Sequence, residues 1–101
     1  MMLFEISGYF EVKNKGIVIG GVNPELDNLS YGKIKEMIGE SVLVIDSEDN
    51  EQVFEAVSIQ ISTSIINKKN IGICIGFPRN IGVIKNGSKV YSNGPLTTQN
   101  Y

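Results

Sequence analysis

Residues 13–22 read KNKGIVIGGV, three glycines within six positions beside two lysines. The composition invites a phosphate-loop reading, and the order of residues refuses it. A phosphate loop needs a lysine and a hydroxyl directly after its last glycine, whereas Val22 and Asn23 stand there. Nor is the run a helix, because each interior glycine would cost about 1 kcal/mol relative to alanine. Ile17, Val18 and Ile19 are strand formers, so the run is predicted to be a strand entered through a turn at Asn14 and Gly16.

The flanks repeat this pattern. From Leu3 to Val12 the residues alternate, with Phe4, Ile6, Phe10 and Val12 on one side, which predicts a half-buried strand. SVLVID (41–46) reads as a buried strand and DSEDNE (46–51) as a polar hairpin tip. QVFEAVSIQIS (52–62) reads as one long strand with Val53, Val57, Ile59 and Ile61 on a shared face. In IGICIGFP (71–78), Ile71, Ile73 and Ile75 share one face and Gly72, Cys74 and Gly76 the other, so one face packs a core and the other is nearly bare. Asn86-Gly87 marks a last turn before SKVYS (88–92). Residues 24–38 are the one place for a short helix, with Ser30 as its cap and Ile34, Met37 and Ile38 at helical spacing. Six short strands with regular turns predict an all-β protein, a small closed antiparallel barrel that leaves no exposed edge. The domain is expected over residues 1–92, followed by a flexible tail at 93–101.

Composition agrees. Ile and Val number 24 against five Leu and the single Ala56, a bias toward pleated sheet. At 101 residues the chain suits one core. No apolar run reaches the length of a membrane span, Glu5 interrupts the start where a signal peptide would be unbroken, and the lone Cys74 fits a reducing compartment. A cytoplasmic protein with no membrane partner is the expectation.

Catalytic chemistry is hard to assemble from these residues. The chain has no histidine, which removes Ser–His and Cys–His nucleophile pairs and histidine metal sites. Cys74 has no basic neighbour to activate it. A calcium loop beginning at Asp46 would need Gly at position six and Glu at position twelve, where Glu51 and Val57 stand. The expectation is therefore no enzyme, no metal and no cofactor. Charge offers the remaining leads. Residues 1–55 hold all 11 acids and four lysines, and residues 56–101 hold five basic residues and no acid. Asp46, Glu48, Asp49 and Glu51 form a candidate surface for a basic protein partner. Lys68, Lys69, Arg79, Lys85 and Lys89 are candidates for nucleic-acid contact at one barrel rim. Phe77 and Tyr91 add only a thin stacking platform, so a protein partner is favoured over RNA.

The strands and turns in order resemble domain 2 of translational GTPases such as elongation factor Tu. Gly16, Val18, Gly20 and Val22 match that family's first glycine-punctuated strand. Gly32, Ile34, Lys35, Gly39, Glu40 and Val42 match its second segment, on the two sides of a turn. Asn70, Gly72, Ile84, Gly87 and Val90 match the last two. The resemblance covers residues 4–92 and implies a six-stranded barrel that docks to a macromolecule. No stretch corresponds to the GTPase domain, so it implies no GTP. Phe77-Pro78 replace the arginine-glycine pair that usually follows the fourth motif, with Arg79 displaced. The function expected is a free-standing, non-catalytic binding module whose partner is a translation component. The alternative is a small immunity or inhibitor protein that covers the basic active site of a bacterial toxin.

Overall fold

A computed structural model describes residues 2–94 of the chain. Along the chain it runs β1 (Met2–Glu5), β2 (Gly8–Val12), β3 (Gly16–Val22), a single 3-10 turn (Pro24–Leu26), helix α1 (Tyr31–Ile38), β4 (Ser41–Ile45), β5 (Glu51–Glu55), β6 (Ser58–Thr63), β7 (Lys69–Cys74) and β8 (Lys89–Gly94). GIVIGGV is thus the strand its residues predict. β8 reaches two residues into the stretch expected to be a tail; the rest of that stretch, 95–101, lies outside the described residues.

The protein is mostly strand, as expected, but the strands form two open sheets. Both are antiparallel and four-stranded, in the orders β1-β8-β4-β5 and β2-β3-β7-β6. Neither sheet closes on itself, so the closed barrel of the sequence reading is corrected. Two segments expected to be continuous strands each break at a corner. At the first, Ile6 N donates to Ser88 O and the next amide, Ser7 N, to Gly20 O. At the second, Ala56 N donates to Glu40 O and Val57 N to Cys74 O. Consecutive amides thus bond to different sheets, and each corner carries the edge strand of one sheet into the edge strand of the other.

The second corner also shifts the face pattern. Phe54 points into the core at 3% exposure while Val53 is 46% exposed, the reverse of the shared face expected for Val53 and Ile59. Phe10, expected inside with Phe4 and Ile6, is 60% exposed beyond the first corner. A one-residue change of phase moves every following side chain to the other face.

One core lies between the sheets. Phe4, Val42, Val44, Phe54 and Val90 come from the first sheet and Ile19, Ile71 and Ile73 from the second, with Leu26, Ile34 and Ile38 added from the 3-10 turn and α1. Residues 24–38, the one place the sequence allows a short helix, do hold one, where the family resemblance alone implies a turn. Ser30 Oγ accepts from Lys33 N at 3.1 Å, and Gly39 ends the helix at positive φ with its amide bonded to Lys35 O. Ile34 and Ile38, one turn apart, are fully buried, and that burial holds so short a helix in place.

Candidate functional site: a groove floored by glycine

Directly paired residues in an antiparallel ladder share a face. Ile19 opposite Ile73 marks the inner face of the second sheet. One step along, on the outer face, Gly8 pairs with Gly20, Gly20 with Gly72, and Gly72 with Gln60. Three glycines therefore lie side by side across three strands, a floor about 10 Å long at the usual strand spacing. The next outer row on one side is Phe10, Val18, Cys74 and Ser58; on the other it is Val22, Asn70 and Ser62. Each row stands about 7 Å from the glycine row. The glycine row opens into a groove of about 860 Å³, lined by Phe10, Val18, Asn70 and Ser62 of these rows and by Tyr31 and Lys35 of α1. Tyr31 is fixed there: its hydroxyl bonds to Thr63 Oγ1 at 2.5 Å, and the Lys69 ammonium lies 5.9 Å from its ring centre.

The glycines of this sheet divide into two kinds. Gly16 has φ +111°, and a Cβ there would stand 2.1 Å from Gly76 O. At Gly21 a Cβ would stand 2.3 Å from Glu5 O and 2.6 Å from Phe4 Cδ1, where β1 crosses β3 at the first corner. Both positions exclude a side chain. At Gly8 a Cβ would meet nothing within 4 Å, and at Gly20 and Gly72 its nearest neighbours would be 3.4 and 3.5 Å away, ordinary contact. None of these three has a positive φ. Glycine within a strand weakens it, and among the described residues no neighbour stands closer than 3.4 Å to a Cβ at any of these three positions.

The candidate charged sites are arranged differently from their sequence reading. Asp46 is only 5% exposed. Its Oδ1 accepts from the amides of Glu48 and Asn50, each at 2.9 Å, its Oδ2 accepts from Asn50 Nδ2 at 3.2 Å, and Lys85 Nζ stands 3.5 Å away. Burial by itself would raise its pKa. The hydrogen bonds from Asn50 and Glu48 and the Lys85 charge outweigh that effect and hold the carboxyl below the ordinary carboxylate range. Asp46 thus organises the turn, with Asp49 at φ 66°, while Glu48, Asp49 and Glu51 remain exposed.

The five basic residues do not form one rim. Lys68 precedes β7, Lys69 begins it and Arg79 follows its other end, a separation of more than about 15 Å along an extended strand. Lys69 is bound to the 24–30 loop, its amide donating to Asp27 Oδ1 at 3.0 Å and its ammonium to Asp27 O. Lys85 faces Asp46, and Lys89 is exposed at the start of β8. Cys74 is buried, and its Sγ donates to Lys15 O at 3.3 Å.

The bare face of IGICIGFP was legible in the residues. Its continuation through Gly20 to Gly8 was not, because that depends on the register between strands 50 residues apart in the chain. Among the described residues no helix is long and apolar enough to cross a membrane. Compared with known proteins, the chain matches no family model, no curated protein and no solved structure.

Proposed function

We propose that this chain is a non-catalytic binding module that docks a protein partner on the glycine-floored face of its second sheet. The observation that carries the reading is the row Gly8–Gly20–Gly72, bare although a Cβ at any of the three would come no closer than 3.4 Å to a neighbour. A floor of exposed backbone lets another chain approach more closely than any side-chain-covered sheet allows. Among the described residues Lys35 is the single charged one lining the groove, and the other cations are dispersed or held by Asp27 and Asp46. Phosphate backbones need clustered cations, so a polypeptide is the better occupant than RNA.

The kinship with translation-factor barrels belongs to this same proposal. Its support is the order of neighbours: with each cornered segment counted as one shared strand, the pairings run round in a ring of six. The toxin-inhibitor alternative would draw on Glu48, Asp49 and Glu51, with Asp46 committed to the turn.

The test fills the groove. Gly20→Val with Gly72→Val should leave the protein folded while abolishing photo-crosslinks to a partner protein from a reactive group at position 62. Equal crosslinking by the filled variant removes the reading, and crosslinks to RNA in place of protein would overturn its choice of partner.

A further inference from the structure

Four strands end the two sheets, and three of them carry the usual protection against pairing with another chain. β1 is irregular between Met2 and Phe4, β2 carries Glu11 and β5 carries Glu51 and Glu55. Bulges and charges are how natural edges avoid association. β6, SIQIST, has no charge, no proline and no glycine over six residues. It pairs only with β7 among the described residues.

The backbone groups on that edge can be assigned. Ser64 N donates to Lys68 O at 2.8 Å and closes the β6–β7 hairpin. Counting back along an antiparallel ladder, Ser62, Gln60 and Ser58 direct their amides and carbonyls to β7, and Ile59, Ile61 and Thr63 direct theirs to the open edge. Unpaired groups at that spacing are matched by an extended polypeptide backbone.

Exposed apolar side chains stand at both ends of the same strand. The hairpin tip beyond Thr63 presents Ile65 at 100% exposure and Ile66 at 69%, in a turn fixed by Asn67 N to Ser64 O and Lys68 N to Ser64 Oγ. At the other end stand Val57 and Phe77, both exposed, where Val57 lies 3.5 Å from the position of a Cβ on Gly76. A twofold axis across β6 brings each end of one copy to the opposite end of the other, as any isologous pairing must.

We propose that β6 pairs antiparallel with β6 of a second copy, centred on Ile61. In that register Ile59 faces the partner copy's Thr63 and Gln60 its Ser62, and the Ile65–Ile66 tip reaches the level of the second copy's Val57 and Phe77. The two four-stranded sheets become one sheet of eight, and no like charges meet across the new ladder. The pairing does not depend on the docking reading above, although it sets two glycine floors side by side on one face.

The experiment is sedimentation velocity on the full chain from about 1 μM to about 1 mM, a range that spans weak to moderate self-association. Wild type should form a dimer in this range. Gln60→Lys with Ser62→Lys sets lysines against lysines across the pairing and should weaken the dimer by at least about tenfold, a change of 1.4 kcal/mol. Gln60→Glu with Ser62→Glu should do the same. Mixing the lysine and glutamate variants should restore dimer as a heterodimer, which a merely misfolded variant could not do. A wild type that stays monomeric throughout, or a mixture that fails to reassociate while both variants give the wild-type circular dichroism spectrum, overturns the proposal.

Discussion

Alanine substitution along the glycines of the second sheet separates those the fold needs from those it does not. At Gly20 and Gly72 an added Cβ has its nearest neighbours at 3.4 and 3.5 Å, and at Gly8 it has none. Packing is therefore neutral, and the unfolded chain loses freedom when glycine is replaced. Alanine at each site is expected to stabilise by about 0.5 kcal/mol, within the usual range for glycine in regular structure. For Gly20→Ala with Gly72→Ala the gain of about 1 kcal/mol corresponds to a rise of roughly 4–8 °C in Tm for a domain of this size. Gly21→Ala has the opposite sign, because its Cβ would fall 2.3 Å from Glu5 O. Backbone at the corner must shift, at a cost of about 1–3 kcal/mol. Gly16→Ala meets Gly76 O at 2.1 Å and adds the strain of φ +111°. Urea unfolding followed by far-ultraviolet circular dichroism measures all five positions. Should Gly20→Ala and Gly72→Ala destabilise as much as Gly21→Ala, the bare floor is an internal packing requirement and the argument for an external occupant fails.

The corner in QVFEAVSIQIS predicts that Phe54→Ala costs about 3–5 kcal/mol, while Val53→Ala, at an exposed site, changes stability by about 0.5 kcal/mol or less; comparable losses in urea unfolding would restore the face pattern read from the sequence. Asp46 has a folded pKa below its unfolded value near 3.9. Its contribution is therefore fully present above that unfolded value and is lost as pH falls through the folded one. Asp46→Asn should flatten this acid limb of the stability curve, and an unchanged limb would exclude Asp46 as its source. Ser30→Ala removes the acceptor for Lys33 N and should destabilise by about 1 kcal/mol, seen as a lower urea midpoint; Ser30→Asp, which keeps an acceptor, should not.

The elements were legible because their signals are local. Period-two alternation in GIVIGGV and IGICIGFP, a capping serine three residues ahead of Lys33, and the Asn86-Gly87 pair each act over a few residues; β3 stands where its residues predicted, and β7 covers 69–74 of a strand read at 71–78. The acidic run was legible as a turn but not in its chemistry. Nothing in DSEDNE distinguishes the carboxylate that folds back on the amides of Glu48 and Asn50 from those that stay in solvent. The corners at Ile6–Ser7 and Ala56–Val57 were invisible, because an apolar strand reads alike whether it stays in one sheet or passes into another. Where it bends is set by its partners, and those come from residues 20, 40, 74 and 88. The same dependence decided the groove. The sequence by itself determined that this protein is built of short strands with room for one short helix at 24–38, and that IGICIGFP has a bare face. Only the tertiary structure decided that Gly8, Gly20 and Gly72 fall in one row, because register is a property of pairs of strands, and residues 8 and 72 become neighbours only when β3 stands between them.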